Sequence, residues 1–510
     1  MSKIYIKDWM ATKPYKKQTN TDLFYLEVSN KVLDAINSND SHTEFLLTFM
    51  DKESIKDFSN FVTSYFEDKI SNLNLFNAFV TLNHDIYSKE LPFYKTSDYI
   101  KEEINLADIQ FLIWYFLNLQ KQDTFINPFS DEIKELATTI FSVLDSEYEY
   151  APENDQLKKY FSLEKPDKLD EVRYFIDKIL TKTYLFGYDT GLELYMRTAE
   201  LKNGNNKNFQ VYKGARDNFI INYPTKLLAL RGNKWAVAIL GNDKKKYKDI
   251  ENLGLNTQTA FIYKGETEDS LKMEQISSGK VIEISKENFV DYKRLKEDMI
   301  LYAGANQWKD KYIFTGIINV INHNDEAIEE AKKDLIAKRI LRTEKEKQED
   351  LKSIKAQEKV FLELNDNQEY LITSPKGAVE FINKFYETLE EKEISKDLES
   401  IVHLAKSIEK NQTIYNSVIF INPNYGIEFY ANIASELDVE NNEYKADEVN
   451  PAFLMKLMMD DTFSKEFFDF YYNLIKDKKS KQVEFMSTLS KKDIDFILRF
   501  FKPTRYESKL

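Results

Sequence analysis

A multidomain α+β fold is predicted for this chain: a helical N-terminal domain, a small antiparallel β-rich middle domain, and an α/β C-terminal domain with a duplicated strand–Pro–helix unit. Three observations predict it. The chain has 510 residues, too many for one hydrophobic core, so about two to four domains are expected. Its pattern changes from helical to strand-like near Asn203. Two stretches near the C-terminus resemble each other, Glu369-Tyr-Leu-Ile-Thr-Ser-Pro-Lys-Gly-Ala-Val-Glu-Phe381 and Ser417-Val-Ile-Phe-Ile-Asn-Pro-Asn-Tyr-Gly-Ile-Glu-Phe429.

Residues 1–202 read as the helical domain. Phe24, Val28, Val32 and Ile36 recur at four-residue steps, as one buried helix face requires. Phe58, Phe61, Val62 and Tyr65 repeat that spacing. Asn105 to Phe116 is apolar almost all round beyond its cap, which predicts a central, fully covered helix. Asn127-Pro128 supplies a cap and a first-turn proline for the next one.

Residues 203–323 read as the β-rich domain. Gly204 to Asn208 is a turn-rich linker. Strands are predicted at Phe209–Tyr212, Leu227–Leu230, Trp235–Leu240, Thr259–Tyr263, Val281–Ile284, Met299–Tyr302 and Tyr312–Ile321, with turns at Gly232-Asn233, Gly279-Lys280 and Gly304-Ala305. Short strands at this spacing suggest a curled sheet or barrel. Residues 324–359 are dense in Lys and Glu and read as a charged connecting helix, with pairs such as Glu329–Lys333 four apart.

Residues 360–510 read as the α/β domain. Val360–Leu364 and Tyr370–Ile372 flank Asn365–Gln368 as a hairpin, and a helix is expected around Leu398–Ile408. In each copy of the repeat an apolar strand leads to a capping residue (Ser374 or Asn422) and a proline (Pro375 or Pro423) suited to a helix's first turn. Two helix N-termini on one side of a sheet could bind an anion, so Ser374, Lys376, Asn422 and Asn424 are the candidate anion-binding residues. Pro451 to Phe501 is predicted helical.

Chemistry is constrained mainly by what is missing. Cysteine is absent, which excludes disulfides, thiolate nucleophiles and cysteine-ligated metal and fits a reducing compartment. The N-terminal stretch lacks an apolar signal core, and the longest apolar run, Phe111–Leu117, is far short of the ~20 residues of a membrane span. A cytoplasmic protein is expected. None of the four histidines, His42, His84, His323 and His403, has a second at metal-ligand spacing. Walker, dinucleotide and nucleophile-elbow motifs do not occur; Ser277-Ser-Gly-Lys280 reads as a turn. Asp460-Asp461 and Asp493-x-Asp495 do not share a helical face, and Pro166-Asp167 is not followed by the strand a nuclease-like site needs. No catalytic residue, metal or cofactor is assigned.

The net charge of −14 disfavours a protein that coats nucleic acid with its whole surface. A local basic face, Lys244–Lys248 with Lys264 and Lys280, is not excluded. The sequence points to a non-catalytic binding or adaptor protein whose protein or peptide partner meets Tyr302, Trp308 and Tyr312 of the β module. A hydrolase or nuclease with an unrecognised carboxylate site is one alternative; a nucleic-acid-associated protein is the other.

Lys3-Ile-Tyr-Ile-Lys-Asp-Trp9, Ile104 through Trp114 and Tyr148-Glu-Tyr-Ala-Pro-Glu-Asn154 resemble an uncharacterised bacterial family, domain-of-unknown-function family 3843. Tyr263-Lys-Gly265, Ser278-Gly-Lys280, Ile419-Phe-Ile-Asn-Pro423 and Asp493-Ile-Asp-Phe-Ile-Leu-Arg-Phe500 extend the likeness over nearly the whole chain. The resemblance implies an intracellular bacterial protein and brings no activity, cofactor or catalytic residue with it.

Overall fold

The computed structural model describes residues 3–121, 124–203, 209–241, 243–334, 341, 344–389, 417–431, 433–437 and 449–509. The Gly204–Asn208 linker, the Leu398–Ile408 helix and His403 lie outside them. The chain forms two compact units, Met1–Leu341 with Ser490–Leu510, and Arg342–Leu489.

The first unit opens with α1 (Ile6–Ala11), α2 (Asn20–Asn37), α3 (Asp40–Leu47), α4 (Lys52–Ser71), α5 (Leu75–Tyr87), α6 (Leu106–Gln120), α7 (Asp131–Glu147), α8 (Asp155–Tyr160) and α9 (Leu169–Lys182). The short α10 (Tyr184–Phe186) runs through a π-helical turn, Gly187–Gly191, into α11 (Leu192–Asn203). As its all-round apolar sequence predicts, α6 buries every residue from Phe111 to Leu119, and Phe79 stacks on Phe111 at 4.7 Å between centroids. Asn127-Pro128 is a turn preceding α7, whose cap is Ser130.

Between 209 and 251 the strand expectation is corrected. The segment folds as α12 (Phe209–Asn222), α13 (Gly232–Ile239) and α14 (Lys248–Glu251), while Leu227–Leu230 is a buried turn. Gly232 is a packing glycine rather than a hairpin residue. A Cβ there would stand 2.4 Å from the Ile176 side chain and 2.9 Å from Leu180, so its absence lets α13 lie against α9.

The β module begins at Asn256, not near 203. Its strands are β1 (Asn256–Glu266), β2 (Ser270–Gln275), β3 (Lys280–Ser285), β4 (Ile300–Trp308) and β5 (Lys311–Ile321). They close a barrel in the order β1-β2-β3-β5-β4, β3 and β5 running parallel and the other neighbours antiparallel. That order is the five-stranded Greek-key barrel of the OB fold. Phe261, Leu271, Met273, Ile284, Leu301 and Phe314 fill it. The turn expected at Gly304 is the middle of β4, where a Cβ would come within 2.8 Å of the Thr315 carbonyl oxygen. Ala327, Ile328 and Ala331 of α15 (Asp325–Lys332) cover the outside of the barrel at Ala260, Ile262 and Ile300.

In the second unit α16 (Glu344–Leu364) ends at Asn365, and Asp366 and Asn367 take positive φ of 49° and 61°. Such residues tolerate the left-handed region, and the turn stops a helix where a hairpin was expected. The strands β6 (Tyr370–Thr373), β7 (Ser417–Asn422) and β8 (Gly426–Ala431) form one antiparallel sheet in sequence order. Against one face, α16 and α17 (Pro375–Leu389) pack Phe361, Ile382 and Phe385 onto Ile419 and Ile421. The other face is met by α19 (Lys465–Ile475), whose Phe467 lies 5.2 Å from Phe420 and 4.4 Å from Tyr430. Among the described residues the remaining α-helices are α18 (Pro451–Met459), α20 (Lys481–Thr488) and α21 (Lys491–Phe501), the last belonging to the first unit.

The duplication does not survive as structure. Pro375 opens α17 as predicted, but Pro423 lies in the β7–β8 hairpin turn. Gly426, at φ +85°, completes that reversal, so the second copy is a strand–turn–strand.

Candidate functional site

A cavity of about 410 Å³ opens in the first unit where the N-terminal segment, α4, α8, the end of α9 and the π-helical turn meet. Its apolar wall includes Phe61, Leu73, Leu75, Leu157 and Phe161, and its polar lining includes Asp8, Lys13, Asp57, Glu67, Lys182 and Tyr188.

The N-terminal side is held by buried polar bonds. Lys13 forms an ion pair with Glu67, both side chains almost fully buried, and its ammonium stands 3.8 Å from the Trp9 ring centre. Asn154 Nδ2 donates to the other Glu67 oxygen at 2.8 Å and to Tyr15 Oη at 2.8 Å. Tyr15 in turn donates to Asp22. The Asn154 side-chain oxygen caps α8 by accepting from the Gln156 and Leu157 N–H groups, each at 3.1 Å. One asparagine thus ties the start of α8 to α4 and to the segment that precedes α2.

Asp68 and Lys69 follow Glu67 into the interior. The Asp68 carboxylate accepts from the Leu75 and Phe76 N–H groups at the start of α5 and from Tyr184 Oη at 2.9 Å. Burial nonetheless pushes its carboxyl up to about 6. Burial also lowers Lys69, against the pull of Asp108 and Asp68, and raises Asp108 against the pull of Lys69; their charged atoms lie 3.8 Å apart. Tyr184, a cavity-lining residue, therefore joins the site to this buried network.

Across the cavity, Gly187 begins the π-helical turn with φ −60° and ψ −40°. A Cβ built there meets nothing within 4 Å, so the glycine leaves part of the space open. Turns of this kind recur at functional sites. Tyr188 packs its ring on Phe61 and Phe116. At the mouth, Asp57 makes no hydrogen bond among the described residues, and its carboxyl is raised by desolvation, then by the carboxylates of Glu53, Asp51 and Asp8.

The residues singled out from sequence lie elsewhere. Ser374 Oγ accepts from the Gly377 N–H at 3.1 Å, an ordinary helix cap. Lys376 faces Glu380 at 3.9 Å on an exposed surface. Asn422 and Asn424 are turn residues rather than a helix N-terminus, and their side-chain amides donate to the Glu466 carboxylate at 3.3 and 2.6 Å. Glu428 accepts from Tyr430 and Ser464.

Tyr302 is 38% exposed on the barrel, whereas Trp308 is 5% exposed and Tyr312 packs against the barrel interior. Gln307 and Trp308 pair with Tyr312 and Lys311, about 20 Å along the strand from Tyr302; the three do not form one patch. In the basic strip, Lys264 pairs with Asp298 and Glu274 and Lys280 donates to the Leu341 carbonyl.

The carboxylates of Asp493-x-Asp495 anchor α21. Asp493 accepts from the Phe93 N–H and from Lys89, and Asp495 from Tyr87, Arg499 and Tyr506. His42 is buried against Thr139, and His323 meets Asp325 in the open. Among the described residues no group of three or more His, Asp or Glu side chains is placed to hold a metal ion. No helix among them is long and apolar enough to cross a membrane.

These features define a helical unit with a polar-lined cavity, joined in one unit to an OB-type barrel. The chain belongs to the family described as protein of unknown function (DUF3843), whose model matches residues 3–275, just over half its length. The match takes in every residue that lines the cavity and stops at the end of β2. No curated protein and no solved structure matches the chain.

Proposed function

We propose that the protein is a non-catalytic binding protein and that the cavity of its first unit holds a small ligand. The observation that carries this reading is the cavity itself. At about 410 Å³ it falls within the roughly 300–1,000 Å³ typical of small-molecule sites. It also combines aromatic walls with a few polar groups, as such sites do. Binding is favoured over catalysis because two of the nearby acids are already engaged, Glu67 with Lys13 and Asp68 with the start of α5. A cytoplasmic setting belongs to the same proposal and is supported by a cysteine-free sequence. A protein partner at the barrel is a second reading, supported by the exposed Tyr302.

Gly187→Leu tests the main reading. Its helical backbone and open Cβ direction let leucine fill the space without a clash at Cβ. In a thermal-shift screen of a fragment library, wild type gives stabilising hits and the Gly187→Leu protein loses them while melting no lower. Hits that persist unchanged in the variant, or a library that gives none with wild type, would refute the reading.

A further inference from the structure

We infer that the ligand of this cavity carries a protonated amine, taken up by the Asp57 carboxylate with Asp8 alongside, while its apolar body lies on the wall formed by Phe61, Tyr184 and Tyr188. The inference rests on the proposed binding function and adds the chemical class of the ligand.

Charge is the first argument. Three carboxylates, Asp8, Asp57 and Glu67, and two ammonium groups, Lys13 and Lys182, line the space. The Lys13 charge is committed to Glu67 within the wall. Lys182 and Asp57 are both exposed, and Asp8 is half-buried. With Lys13 and Glu67 paired, Asp8 and Asp57 against Lys182 leave the lining net negative by one charge. Asp57 is the group with capacity left, since it makes no hydrogen bond among the described residues. Its carboxyl is raised by desolvation and by the carboxylates of Glu53, Asp51 and Asp8, with the Lys56 ammonium pulling more weakly the other way. A cation bound there relieves that repulsion, and an anion compounds it.

Aromatic geometry is the second argument. The rings of Tyr184 and Tyr188 both stand edge-on to Phe61, at 5.5 and 6.2 Å, and all three line the cavity. Aromatic faces attract an ammonium and accommodate an apolar body. The floor behind them, Leu73 and Leu75, offers nothing to a second charge.

Isothermal titration with three probes of similar shape and different charge tests the inference: phenethylamine, the neutral phenethyl alcohol and the anionic hydrocinnamate. Phenethylamine is expected to bind most tightly. Asp57→Asn should weaken it about tenfold or more, the scale of a lost charge-assisted hydrogen bond, and leave the alcohol unchanged. Gly187→Leu should abolish both. The Asn variant should melt no lower than wild type, because Asp57 has no hydrogen bond to lose and its charge is repelled by neighbouring carboxylates. If the alcohol or hydrocinnamate binds as tightly as the amine, or Asp57→Asn leaves the amine's affinity intact, the amine assignment is overturned while a Gly187→Leu-sensitive binding site stands. If neither these probes nor any library fragment binds, the binding function falls and the assignment with it.

Discussion

Asp68 is an acid kept in the interior by two backbone N–H groups and a tyrosine, and its proton affinity leaves a mark on stability. Burial takes the carboxyl from 3.8 to about 6. Below pH 3.8 both folded and unfolded chains hold the proton, and the favourable contribution is complete. Between 3.8 and about 6 the unfolded chain releases its proton while the folded one keeps it, so stability falls as pH rises. Above about 6 the loss is complete, at about 3 kcal/mol. Urea unfolding of wild type and Asp68→Asn across this range should show the wild type losing about 3 kcal/mol relative to the variant. Parallel profiles would contradict the assignment. The signal for this cluster is present in the sequence: Glu67-Asp68-Lys69 puts three charges in a row directly after the apolar face of Phe58, Phe61, Val62 and Tyr65. At about 100° per residue three neighbours span too much of the helix to share one wet face. Their types were legible; their partners on α5, α6 and α10 depend on tertiary packing.

At the scale of elements, the sequence was most misleading where one residue type serves two purposes. Gly232 and Gly304 look like turn residues, yet both allow a close approach, of α13 to α9 and of β4 to Thr315. Asn422-Pro-Asn-Tyr-Gly426 reads as a helix start by its likeness to the segment at Pro375. Its Asn, Pro and Gly content is equally that of a tight turn, and Gly426 decides the matter. The strand β2 is short, and although Leu271 and Met273 alternate with Lys272 and Glu274 as a half-buried strand requires, Lys and Glu are poor strand formers and weaken its signal. The all-helical character up to residue 201 is plain, since α2 and α4 carry long periodic patterns and α6 a long run that is apolar all round. If Gly232 is a packing residue, Gly232→Ala should destabilise the protein by about 1–3 kcal/mol through overpacking, measured by urea unfolding. Gly187→Ala, made where space is open, should leave stability unchanged or slightly raised. Equal effects at the two glycines would contradict the packing described for α13.

Over the whole molecule, the chain's division follows packing rather than sequence order. The expected boundary near 203 fails because α12 and α13 continue the helical layer, and the barrel is part of the same compact unit. The expected 360–510 domain loses its last helix, since Asp493 and Asp495 fasten α21 to the segment from Tyr87 to Phe93. Long-range pairing of this kind leaves no periodic trace. Of the two helix starts expected to offer anion sites, the one at Pro423 is a hairpin turn instead. The cavity could not be read from sequence because its walls come from residues as far apart as Asp8 and Tyr188. A crystal structure of the protein soaked with fragments that raise its melting temperature tests the binding cavity most directly. Fragment density is expected in the space bounded by Phe61, Gly187 and Tyr188. A cavity closed by its own side chains, with fragments bound only elsewhere, would contradict it.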